Sequence, residues 1–145
     1  MKIIPRSGQK LSVLVVDDEA DIREALVTFL EMMECFNFIV EAKDGQDAFL
    51  KYQNQSFDLI VTDLIMPKAS GIDLIMNIKK VEKNKEAKTP IMILSANLTS
   101  EEVQKAIAFG VKHALTKPCT AQAFMDKVAE VMSKMKRDKV KVLEE

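Results

Sequence analysis

Two kinds of hydrophobic spacing take turns along this chain, and their alternation limits what it can fold into. "LSVLVV" (11–16), "FDLIVT" (57–62) and "IMILSA" (91–96) are short, near-continuous apolar runs rich in Val, Ile and Leu. Such runs suit strands covered on both faces, as in parallel sheets. Between them the spacing becomes helical: Ile22, Ala25, Leu26, Phe29, Leu30 and Met33 make one apolar stripe. A weaker strand, "FNFIVEA" (36–42), precedes a helix near 45–53, and "GIDLIMNIKKV" (71–81) is a further amphipathic helix. "LTSEEVQKAIAFG" (98–110) carries its own signposts: Thr99 as cap, Glu102 completing a capping box, Leu98 and Val103 as a staple, Gly110 as stop. A short strand near 112–116 follows, then a last helix from Thr120 with Phe124, Val128, Val131, Met132 and Met135 on one stripe. Strand and helix repeat five times. The expected class is α/β, a parallel sheet with helices on both faces and right-handed crossovers.

Bulk properties exclude more than they assign. With 145 residues one core is expected, and 21 Lys and Arg against 22 Asp and Glu leave a net charge of −1. No basic excess points to direct nucleic-acid contact or an anionic membrane. No run approaches the roughly 18 apolar residues of a membrane span. "MKIIPRSGQK" lacks the apolar core of a secretory signal. Two cysteines, Cys35 and Cys119, make no disulfide framework, so a cytoplasmic setting is expected.

In an open parallel sheet the site forms beyond the carboxyl ends of the strands. The first strand delivers Asp17 and Asp18 there, the third Asp63, the fourth Ser95, and the fifth is followed by Lys117 and Pro118. Taken alone, "DDE" after a strand is a solvated strand end and a helix cap. Asp63, Ser95 and Lys117 arriving at the same edge make the set a site. Three carboxylates without His or Cys form a hard oxygen site that suits Mg²⁺. An Asp carboxylate can also attack phosphorus, and a phosphoryl group in transfer needs cations and donors around it.

At these residues the chain resembles the receiver domains of two-component response regulators. The resemblance rests on "VDDE", on "DLIMP" around Asp63, on the Gly opening the third helix, on Ser95, and on "TKP" after the fifth strand. It runs from about Leu11 to Met135, as a stand-alone receiver or one excised from a longer chain. It implies a flavodoxin-like (βα)5 sandwich with strand order 2-1-3-4-5. It implies Asp63 as phospho-acceptor, with Mg²⁺ on Asp17, Asp18, Asp63 and the backbone carbonyl of Ile65. It makes Ser95 the switch hydroxyl, Lys117 the phosphate partner, and the Lys117–Pro118 peptide cis. The donor implied is a histidine kinase or phosphotransfer protein. The target would be a protein met by the face of the fourth helix, fifth strand and fifth helix. The domain would phosphorylate and dephosphorylate itself without an external turnover substrate.

One position departs from the family pattern. An aromatic normally stands three residues before the lysine, and here it is Ala114. That leaves an alternative reading, a receiver-like binding module that works without phosphate. Ile65 and Asn97 are expected to set the lifetime of a phosphoryl group through water access. His113 is read as structural or exposed and not as a phosphoryl carrier, the lysine-rich "KKVEKNKEAK" (79–88) as a solvated loop, and Met32, Met76 and Met132 as core or interface. The domain reading is an N-terminal extension (1–10), a receiver (11–136) and a charged tail (137–145) ending a frayed helix.

Overall fold

The computed structural model describes residues 1–66, 68 and 70–143. The elements run β1 (Lys2–Pro5), β2 (Ser12–Val16), α1 (Ala20–Met32), β3 (Phe38–Ala42), α2 (Gly45–Asn54) and β4 (Leu59–Asp63). Then come α3 (Gly71–Val81), β5 (Ile91–Ser95), α4 (Glu101–Ala108), β6 (His113–Thr116), α5 (Ala121–Met135) and β7 (Val140–Leu143). Five parallel strands form the main sheet in the order β3-β2-β4-β5-β6. Counted along the α/β repeat, that is the expected order 2-1-3-4-5 of a flavodoxin-like sandwich.

The near-continuous apolar runs are apolar because each strand is covered twice. Val13 and Val15 on β2, Leu59 and Val61 on β4, and Met92 and Leu94 on β5 enter the core under α1 and α5. The residues between them, Leu14, Val16, Ile60, Ile91 and Ile93, enter the core under α2, α3 and α4. Successive side chains leave a strand on opposite faces, so apolar residues are needed on both. On the first side Phe29 of α1 meets Phe124 of α5 at 5.9 Å between ring centres, a tilted aromatic pair. Among the described residues no helix is long and apolar enough to cross a membrane.

The register brings four strands to a common edge. Val16 pairs with Thr62, Asp63 with Leu94, and Ser95 with Thr116. Asp17, Asp63, Ser95 and Lys117, which follow Val16, Thr62, Leu94 and Thr116, are therefore delivered to the same rim.

Three expectations need correction. The termini are not a loose extension and a frayed helix end: β1 pairs with β7, antiparallel, Lys2 opposite Leu143 and Pro5 opposite Val140. Ile3 and Val140, each 2% exposed, bury under this ribbon, while Lys139 Nζ reaches the Asp58 carboxylate at 2.7 Å. Second, α4 is capped by Ser100, whose hydroxyl accepts from the Val103 amide, and not by Thr99. Thr99 turns instead to the Asn97 side chain, donating its amide and its hydroxyl to Oδ1. Third, the lysine-rich segment is not wholly solvated. Glu82 is 2% exposed and accepts from the Tyr52 hydroxyl, the Thr89 amide and the Thr89 hydroxyl. Of the three methionines, Met132 is buried and Met76 half-buried, but Met32 is exposed.

Candidate functional site

Asp17 follows the last residue of β2, and its amide still bonds the Ala42 carbonyl of β3 at 3.2 Å. Its carboxylate is fully buried, with Oδ1 accepting from the Glu19 amide at 2.9 Å. Asp63 ends β4 and is also buried, with the Ile65 amide donating to its Oδ1 at 3.4 Å. Lys117 enters from the turn after β6 and donates to Asp17 Oδ2 and Asp63 Oδ2, both at 3.0 Å. Burial works against the Lys117 ammonium. The hydrogen bonds to Asp17 and Asp63 outweigh it and hold its pKa above the ordinary lysine value. One cation grips two carboxylates from two different strands.

Asp18 stands beside them, exposed, and one oxygen from each of Asp17, Asp18 and Asp63 lies within 4.8 Å of the others. Three negative charges therefore share a single ammonium. The donors are all carboxylate oxygens, so the set fits a hard divalent cation, and a metal ion could be held here.

Ser95 ends β5 and is buried. Its hydroxyl donates to the Asn97 carbonyl at 3.1 Å and accepts from the Asn97 amide at 3.2 Å, so it is held by its own loop and not by the acid cluster. The Ser95 carbonyl accepts from the Lys117 amide at 2.9 Å, which ties the β5 and β6 ends together. The Lys117–Pro118 peptide is cis. Ala114 is half-buried against the core under α3 and α4. Ile65 is 67% exposed.

Gly71 explains how β4 meets α3. Its amide donates to the Leu64 carbonyl at 3.0 Å. A Cβ placed there would lie 2.7 Å from Leu64 Cα and collide with the Asp63 carbonyl oxygen. Only glycine lets this helix start so close to the Asp63 and Leu64 backbone.

Sequence reasoning passed over an outer ring of supports. The Arg23 guanidinium donates from Nη1 to the Asp17 carbonyl at 2.7 Å and from Nε to Glu41 Oε1 at 3.0 Å. The Gly45 amide at the start of α2 reaches the Lys68 carbonyl in the loop after Asp63 at 3.3 Å. An arginine on the polar side of α1 gave no spacing signal that would set it apart. Beside Lys117 an apolar cleft of about 240 Å³ opens between α1 and the start of α5, lined by Ile22, Leu26, Phe29, Pro118 and Cys119 among others.

Comparison with known proteins agrees with this geometry. The response regulator receiver domain family matches residues 13–129. The chemotaxis protein CheY-3 of Vibrio cholerae is 31% identical over 88% of this chain and 96% of its own length. Among solved structures, the CheX–CheY–BeF3–Mg complex from Borrelia burgdorferi aligns with a TM-score of 0.76 at 29% identity, over 87% of this chain and 92% of that one. The Saccharomyces cerevisiae co-crystal structure of the histidine phosphotransfer protein Ypd1 with the receiver domain of Ssk1 aligns with a TM-score of 0.71 at 28% identity, covering 86% and 91%. With a carboxylate-rich rim on a five-stranded parallel sheet and a family match across most of its length, the chain belongs to the response regulator receiver domains of two-component signalling.

Proposed function

We propose that Asp63 accepts a phosphoryl group and that the protein signals through protein–protein contact in the cytoplasm. A carboxylate oxygen of Asp63 attacks phosphorus, the bond from phosphorus to the donor's leaving atom breaks, and an aspartyl phosphate forms. Mg²⁺ held by Asp17, Asp18, Asp63 and the Ile65 carbonyl would neutralise charge on the moving group. The Lys117 ammonium, already 3.0 Å from Asp63 Oδ2, stays beside the new phosphoryl oxygens and offsets their charge. The Ser95 hydroxyl must leave its two bonds to Asn97 to reach them, so phosphorylation and movement of the β5–α4 loop are one event. The donor is a histidine kinase or phosphotransfer protein, and the target meets the α4–β6–α5 face.

The observation that carries this reading is the grip of Lys117 on Asp17 and Asp63, with Asp18 completing an oxygen site. Ala114 favours a second reading, a module working without phosphate, because its side chain cannot fill the space that Ser95 would vacate. Intact mass after incubation with Mg²⁺ and acetyl phosphate separates them. The proposed function expects one added phosphoryl group in the parent protein and none in Asp63→Asn or with a chelator. No addition in the parent, even with a kinase of its own signalling system as donor, would select the second reading.

A further inference from the structure

The turn from β2 into α1 carries the carboxylates, yet it has no helix cap of its own. Glu19 sits at the N-cap position of α1 and makes no side-chain capping bond. What holds the turn is Asp17 itself, through its carboxylate to the Glu19 amide, and Arg23, through its guanidinium to the Asp17 carbonyl. That carbonyl belongs to the peptide leading into Asp18. Fixing it fixes the plane from which the Asp18 carboxylate departs. The Arg23 side chain is 19% exposed, and its Nε is held at 3.0 Å by Glu41 on the neighbouring strand β3. A planar guanidinium can serve two acceptors at set angles, which an ammonium cannot.

A cation placed behind a cation site is otherwise a disadvantage. Arg23 repels any ion that Asp17 and Asp18 would hold, and Glu41 offsets only part of that charge. If the guanidinium acted by charge alone, removing it would tighten metal binding. If it acts by position, removing it loosens metal binding. We infer that Arg23, oriented by Glu41, is a positioning residue that sets the Asp17–Asp18 peptide for divalent-cation binding. This rests on the reading of those aspartates as metal ligands.

The test is calorimetric titration of Mg²⁺ into the full chain, with melting temperature recorded beside it. Arg23→Gln and Arg23→Lys should each weaken Mg²⁺ binding roughly tenfold, the lower end of the range for groups that orient metal ligands. Glu41→Gln, at a half-exposed position, should weaken it less and leave the fold intact even if an Arg23 variant misfolds. Labelling by acetyl phosphate should need a correspondingly higher Mg²⁺ concentration to reach half its maximal rate in the Arg23 variants. Unchanged affinity with a lower melting temperature would reduce Arg23 to a structural support, and tighter binding in Arg23→Gln would reduce it to a charge; either overturns the inference. Absence of Mg²⁺ binding in the parent would instead overturn the reading of the site, and this inference with it.

Discussion

Buried carboxylates stand at both ends of the sheet, and their charge is balanced differently. At the far end Glu82 takes three neutral donors, and Asp58 takes the Ser12 amide at 2.9 Å with Lys139 at 2.7 Å. Lys136 stands a further 3.7 Å from Asp58. At the rim, among the described residues, Lys117 pairs with the Asp17 and Asp63 carboxylates, and Asp18 stands beside them without an ion pair. Burial is tolerated at both ends because, among the described residues, each buried carboxylate oxygen accepts a hydrogen bond. At the rim the charge is left short by two, and the shortfall is what invites a cation. Cavity size does not separate the two. A cleft of about 530 Å³, larger than the one of about 240 Å³ beside Lys117, lies at the far end beside Tyr52, Glu82 and Thr89. Local charge balance marks the site better than volume does.

The sharpest way to break the comparison is to take the single cation from the rim. Lys117→Ala should slow labelling by acetyl phosphate by roughly 10²-fold or more, the usual result of removing a preorganised charge partner. It should also tighten Mg²⁺ binding, because the ion then replaces the ammonium between Asp17 and Asp63. Stopped-flow labelling and titration read the two effects apart.

Gly71→Ala probes the seam between scaffold and site. The added Cβ must push α3 away from the Asp63 carbonyl, at a stability loss of about 1–3 kcal/mol. Urea unfolding measures that loss, and labelling should fall with it because the acceptor's backbone moves.

The far end should behave as structure only. Glu82→Gln should cost about 1–3 kcal/mol and leave labelling at the parent rate. Its pH dependence has a definite sign. Burial raises the Glu82 pKa, but bonds from Thr89 and Tyr52 outweigh it and hold it below the ordinary value. The stability this carboxylate contributes is therefore present above the unfolded-state pKa of about 4.3 and is lost as pH falls through the lower, folded value. Melting curves of the parent should drop more steeply than those of Glu82→Gln over that acid range.

The five strands and helices of the sheet were legible because each carries several residues of one period. The rim was legible because strand ends are easy to locate and four of them end in chemistry. The terminal ribbon was not: "KIIP" and "VKVL" are four residues each, one holds a proline and the other lies in a charged run, and neither has a partner nearby in the chain. Ser100 and Thr99 can both cap a helix, and only the competing pull of Asn97 on Thr99 decides between them. Glu82 looked solvated because its donors, Tyr52 and Thr89, are brought to it by packing and not by sequence. Arg23 was missed for the same reason, since its acceptor is a backbone carbonyl.

The ribbon of β1 and β7 also decides how the molecule answers a pull. Lys2 faces Leu143 at one end of the ribbon and Pro5 faces Val140 at the other, so both chain ends leave from the same side. Tension between them loads one cross-strand pair at a time and opens the ribbon like a zip. Were the two strands parallel, all the pairs would share the load in shear. The ribbon should therefore part at a lower force than the sheet that holds Asp17 and Asp63.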